Sequence, residues 1–201
     1  MLIYSLFSNP TFFCTIVTII AISISLHELG HGIAAISQGD RTPIDTGHMT
    51  LNPVVHLGVP SLVFLLLTGM AWGQMPVNPR KFRNYKWSNI IVSAAGPLTN
   101  FAIGLAGILV IKILLNLPFA SNGMIEFFYY VAYLNFALGM FNLFPLPPLD
   151  GFHVASEFFP QMKPLINSQA GLALFMILFV SGAGRIFFDV AEQLVFALTD
   201  F

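Results

Sequence analysis

Four stretches of this chain are long and apolar enough to cross the hydrocarbon of a bilayer, which takes about 20 residues: Phe12 to Ser37, Ile90 to Leu117, Met124 to Phe144, and Leu165 to about Phe188. Backbone in hydrocarbon must satisfy its own hydrogen bonds, so each is expected to be a helix. A fifth stretch, Val54 to Trp72, is barely long enough and is interrupted by His56, Pro60 and Gly69. Only 8% of the 201 residues are charged, against about 25% in a soluble domain, so most of the exterior must face lipid. A net charge of −1 offers no basic field for nucleic acid, which is excluded as a partner. Cys14, the one cysteine, lies in an apolar run and reads as a small buried hydrophobe rather than a redox centre. Met1 to Pro10 shows neither a basic start nor a small-residue cleavage site, so no removable signal peptide is expected. The reading is a single membrane-embedded domain over residues 1–201, all-α and multi-pass.

The first span carries His27-Glu28-Leu29-Gly30-His31. On a helix, positions i and i+4 share a face, so both rings can reach a single zinc ion while Glu28 lies beside it. Zinc held by three protein ligands keeps its fourth position for water and lowers that water's pKa to about 7, and a neighbouring carboxylate can take the proton. Glu28 is the candidate general base. Ionisable groups at membrane depth are costly unless paired or metal-bound, which favours a functional reading of the set.

The best-placed third ligand is Asp150, in Asn142-Leu143-Phe144-Pro145-Leu146-Pro147-Pro148-Leu149-Asp150-Gly151. The prolines deny the backbone a regular helix, and broken backbone at membrane depth lines a site or cavity. The competing reading of Asp150 is a helix N-cap at the membrane surface. His153 needs a sharper turn to face the same ion, and Glu157 lies further into the connector. His48 and His56 sit in the first loop, where a solvated or hydrogen-bonded imidazole is the plainer reading. Asn142, taken alone, reads as satisfying loose carbonyls ahead of the proline-broken segment.

With these residues in view the chain resembles the site-2 proteases, zinc-dependent intramembrane metalloproteases that cut membrane-spanning helices of their substrates. Three motifs carry the resemblance in order: His27 to His31, Ala95-Gly96-Pro97-Leu98-Thr99-Asn100 at the opening of the next core helix, and Asn142 to Gly151. Gly39-Asp40-Arg41-Thr42 followed by Gly47-His48-Met49-Thr50-Leu51-Asn52-Pro53 is similar to the family's short compact branch, with His48 where an arginine is commoner. The resemblance implies a metalloendopeptidase holding one Zn2+ per chain through His27, His31 and Asp150. It further implies that Glu28 activates water and that Asn142 hydrogen-bonds the substrate backbone or the developing oxyanion. Its surroundings are membrane lipid and its substrates transmembrane proteins. No segment is long enough for the PDZ or cystathionine-synthase domain that some relatives append. For Ala95-Gly96-Pro97 the packing reading wins, because small residues permit close helix approach and Pro97 suits a first turn. Asn100 is expected to bond between helices.

Ligands on the first span and just past the Met124 to Phe144 span require those two to run in the same direction, hence an odd number of crossings between them. Ile90 to Leu117 supplies one. Val54 to Trp72 is therefore expected to dip in and return, bending at Pro60 and Gly69, with both ends on one face. The fold expected is a helical bundle of about four full spans, one reentrant segment and a short extended or hairpin loop after the first span. A substrate segment can pair as a strand with that loop, Gln38 to Pro53. Arg41, Arg80, Lys81, Arg83, Lys86 and Lys163 then fall on the side nearer the metal, which the positive-inside rule makes cytoplasmic. The rival readings are a metal transporter and a catalytically silent scaffold that binds membrane helices.

Overall fold

The computed structural model of the protein describes residues 2–166 and 168–199, and among them the regular structure is entirely helical. After α1 (Ile3–Ser8), each long helix starts at a side chain that accepts an otherwise orphaned backbone N–H. Asn9 accepts from Phe12 ahead of α2 (Pro10–Ser37), and Pro10 takes the first position, where a missing N–H costs little. Asn84 accepts from Trp87 at the start of α5 (Tyr85–Leu114), and Ser121 from Met124 at the start of α6 (Asn122–Leu143). These three helices are long and apolar enough to cross a membrane. Because the cap at Asn84 starts α5 well upstream, Pro97 lies inside that helix and not in its first turn.

The three helices alternate in direction. Along α2, Gly30 stands against Thr99 and His27 against Asn100, while His31 meets Val92, so α5 runs opposite to α2. Gly104 faces Phe136 and Gly107 faces Ala132, so α6 reverses again and is parallel to α2. The glycines allow this approach: a β-carbon at 104 would come within 2.9 Å of the Phe136 ring. Ile16, Ile19, Ile20 and Ile24 of α2 form one apolar cluster with Leu57 and Leu65. Ile108 and Ile111 form another with Ala132, Phe136, Ala191 and Val195. Cys14 is exposed, not buried, since the inward face of α2 is set by Phe13 and Ile16.

The segment after α2 is not a hairpin: it holds a single helical turn, α3 (Thr42–Asp45), whose Pro43 is buried, and no strand occurs among the described residues. Next comes α4 (Pro53–Thr68), capped by Asn52. It breaks at Gly58, whose φ of 67° leaves the helical region, two residues before Pro60. Gly69, at φ 88°, ends α4, and the chain returns along it. The Trp72 N–H donates to Ser61 Oγ at 2.9 Å, the Ser61 hydroxyl donates to the Trp72 carbonyl at 2.7 Å, and the Gln74 N–H donates to the His56 carbonyl at 2.9 Å.

Beyond α6 lie α7 (Asp150–Phe158), a 3-10 turn over Pro160–Leu165, α8 (Gln169–Val180) and α9 (Arg185–Thr199). The stretch from Leu165 to Phe188, expected as one span, is two helices. Ser181-Gly182-Ala183-Gly184 separates them, with Gly182 at φ 74°, because two glycines in four residues remove most of the helical preference. Helix α9 then comes back along α6, Phe187 packing on Phe141 and Phe196 on Tyr129.

Candidate metal centre

His27 and His31 stand one turn apart on the buried face of α2, at 7% and 8% exposure. Their ring planes are nearly perpendicular, at 81°, and the two Nε2 atoms are 3.0 Å apart. Asp150 is the first residue of α7, with Leu149 in the capping position, so its carboxylate is not an N-cap. Its Oδ2 lies 3.1 Å from His27 Nε2 and 3.3 Å from His31 Nε2. Gly151 brings this group home: a β-carbon there would collide with the carbonyl of Leu143, so α7 starts hard against the end of α6. Among the described residues His27, His31 and Asp150 could hold one metal ion.

The second nitrogen of each ring decides what these atoms can do. His31 Nδ1 is 2.7 Å from the Val92 carbonyl oxygen, which can only accept, so Nδ1 carries the proton. His27 Nδ1 is 2.6 Å from Asn100 Oδ1, again an acceptor. In their neutral form, rings bound in this way turn Nε2 lone pairs toward each other and toward a carboxylate. Three lone pairs at 3.0 to 3.3 Å repel unless a cation lies between them. Ligands about 2.0–2.2 Å from a tetrahedral zinc are separated by about 3.3 Å, so the triangle has the size such an ion requires. Burial on its own raises the Asp150 carboxyl, but contact with the two imidazoles outweighs it and holds the group well below the usual carboxylate range. It is thus ionised at neutral pH.

Glycines make the space. A β-carbon on Gly96 of α5 would collide with the Nε2 atoms of both histidines. Glu28 is buried on α2 against Gly73, where a β-carbon would collide with its Oε1. The returning segment after α4 thus covers the carboxylate beside the histidines.

The other candidates are not members of this ligand group. Asn142 is in the last turn of α6, its Nδ2 donating back to the Leu138 carbonyl at 3.1 Å. His153 is on α7, where burial holds it below its ordinary value and the nearby Asp150 charge only partly offsets this. Glu157 accepts from Asn89 at 2.9 Å and from Lys163 at 2.8 Å. His48 bonds within its own turn to Thr46, and His56 Nε2 donates to the Thr50 carbonyl at 2.6 Å. Sequence reasoning did not reach Val92, Gly73 or Asn135. A backbone acceptor and a covering glycine carry no sequence signal, but Asn135 is an amide in an apolar span and could have been flagged as such.

The model of peptidase family M50 matches residues 15–117 and 110–183. "Putative zinc metalloprotease YwhC" of Bacillus subtilis is 34% identical over 178 residues, covering 84% of this chain and 81% of that protein. "Putative zinc metalloprotease Rip2" of Mycobacterium tuberculosis is 30% identical over 158 residues, covering 76% and 58%. "Zinc metalloprotease MJ0392" of Methanocaldococcus jannaschii is 26% identical over 183 residues, covering 87% and 45%. No solved structure matches the chain.

Proposed function

The chain belongs to peptidase family M50, the site-2 proteases, and is a zinc metallopeptidase of the membrane; from that premise we propose how its residues divide the work. His27, His31 and Asp150 hold one zinc ion, Glu28 is the general base, and Asn142 hydrogen-bonds the substrate backbone or the developing oxyanion. The observation that carries this reading is the convergence of three lone-pair atoms within 3.3 Å, with both histidine Nδ1 atoms committed to acceptors elsewhere. Zinc, when bound, supplies Lewis acidity that brings the pKa of water to about 7. Glu28, next to His27 in sequence, takes the proton of the attacking water and returns it to the leaving amine. Its burial beneath Gly73 excludes bulk water from that transfer. The substrates in this reading are membrane-spanning helices, which must unwind locally to present a peptide bond.

For topology, α2, α5 and α6 cross the membrane and α4 with its return segment enters and leaves on one face. Support comes from contacts between the segments flanking that excursion: Arg83 N–H to the Gln38 carbonyl at 3.0 Å and Asn78 N–H to Asp40 at 2.6 Å. Arg41, Arg80, Lys81 and Arg83 cluster there, which favours a cytoplasmic position for the zinc side.

Glu28→Gln tests the assignment. Zinc content is expected to stay at the wild-type level while cleavage of a membrane-helix substrate falls by about 10²- to 10⁴-fold. Undiminished cleavage would remove Glu28 from the chemistry, and metal flux that survives the change would favour transport.

A further inference from the structure

The imidazole of His27 is held by a chain of amides that begins on α6, and we infer that Asn135 is a positioning residue of the zinc site, acting on His27 through Asn100. The inference rests on the assignment of His27 as a zinc ligand. Asn135 Nδ2 lies 2.8 Å from the Val131 carbonyl oxygen, one turn back on the same helix. A carbonyl only accepts, so the amide nitrogen must face it, and that nitrogen also donates to Ser23 Oγ at 2.9 Å. Asn135 Oδ1 is then left to accept from Asn100 Nδ2, at 2.9 Å. Asn100 Oδ1 is in turn left for His27 Nδ1, at 2.6 Å.

The polarity of the chain is therefore set at its far end by a backbone oxygen and arrives at His27 as an obligatory acceptor. Nδ1 is protonated, and the Nε2 lone pair points at Asp150 and His31. Both asparagines are 0% exposed, so water does not compete for these bonds. Reversing either amide leaves like groups facing each other in a dry interior. The two histidines differ in this respect. His31 is fixed by the backbone of Val92, whereas His27 depends on side chains alone. Without Asn135, nothing in the chain of amides dictates which way Asn100 faces. An Asn100 turned to present its nitrogen favours the tautomer whose lone pair looks away from the metal. Because Ser23, Asn100 and Asn135 belong to α2, α5 and α6, the same bonds tie ring orientation to the packing of the three core helices.

The test is zinc affinity of the purified full chain in detergent, by chelator competition, for wild type, Asn135→Leu, Asn100→Leu and the double variant. A partner that orients a metal-binding histidine is worth about 10- to 100-fold in affinity. Asn135→Leu is expected to weaken zinc binding within that range, and the double variant to be no weaker than Asn100→Leu. Wild-type affinity in Asn135→Leu, or losses that multiply in the double variant, would overturn the inference. A second measurement covers a leucine variant that does not fold: nitrogen NMR of histidine-labelled, zinc-free wild type. His27, assigned by its absence in His27→Gln, should show a protonated Nδ1, and an unprotonated Nδ1 overturns the relay. His27→Gln also separates the two readings. If it binds zinc like wild type, the ligand assignment fails and the inference with it; if it loses zinc while Asn135→Leu does not, the relay alone fails.

Discussion

Asp40 Oδ2 accepts the backbone N–H of Asn78 at 2.6 Å, which joins the segment leaving α2 to the segment entering α5 at one end of the bundle. Asp40 is fully buried and also takes the Thr42 N–H at 2.9 Å. Burial raises its carboxyl, but the bonds from Asn78 and Thr42 outweigh that and hold it below its ordinary range. A carboxyl depressed on folding stabilises fully above its unfolded value of about 3.9, and the contribution is lost as pH falls through the folded value. Asp40→Ala is expected to cost about 1.5–3 kcal/mol at neutral pH. Thermal unfolding in detergent should show that gap narrowing below about pH 4. Lys81, 3.9 Å away and half exposed, contributes little, so Lys81→Ala should lie within about 1 kcal/mol of wild type.

The same join bears on topology. In a Cys14→Ser background, single cysteines at Asn52 and Asn84 are expected to react with an impermeant thiol reagent from the same membrane face. Labelling from opposite faces would make α4 and its return segment a full crossing and undo the proposed reading.

Two glycines at the centre should give separable defects. Gly96→Ala places a methyl group where the histidine Nε2 atoms converge, and is expected to lower zinc affinity by at least about tenfold, read by metal content after dialysis. Gly73→Ala displaces the Glu28 carboxylate but leaves the histidines alone. It should retain zinc and lose turnover by about 10- to 100-fold, since a small misplacement of a catalytic group is costly.

Glu157 fastens α7 to the start of α5 through Asn89 and to the 3-10 turn after α7 through Lys163, and is 5% exposed. Removing it in Glu157→Ala is expected to destabilise the fold by about 1–3 kcal/mol. Zinc binding should weaken in parallel, because Asp150 starts the same helix. Glu157→Gln keeps an acceptor for Asn89 and should recover most of the loss.

Much of the centre is legible in the sequence because helical spacing is rigid. His27 and His31 had to share a face, and the prolines before Asp150 marked backbone that no span would tolerate. The break in α4, expected at Pro60, falls at Gly58, since φ near 67° is open to glycine, whereas the backbone before Pro60 is merely restricted. Hydropathy gave a single fourth span because it sums apolar residues and passes over Gly182 and Gly184, where the helix stops. It also misplaced Cys14, since an apolar run that meets lipid has no polar face to show which side turns inward. Long-range partners were out of reach for a further reason: the Val92 carbonyl and the α-carbon of Gly73 act through backbone position, which residue identity does not record.

The central claim is that one zinc ion is shared between α2 and the first residue of α7. Zinc stoichiometry of the purified chain, measured against a calibrated chelator for wild type, His27→Ala, His31→Ala and Asp150→Ala, tests it most directly. The account predicts one zinc per wild-type chain and a loss of binding in all three variants with the helical content unchanged. Full zinc occupancy in Asp150→Ala at wild-type affinity would contradict it.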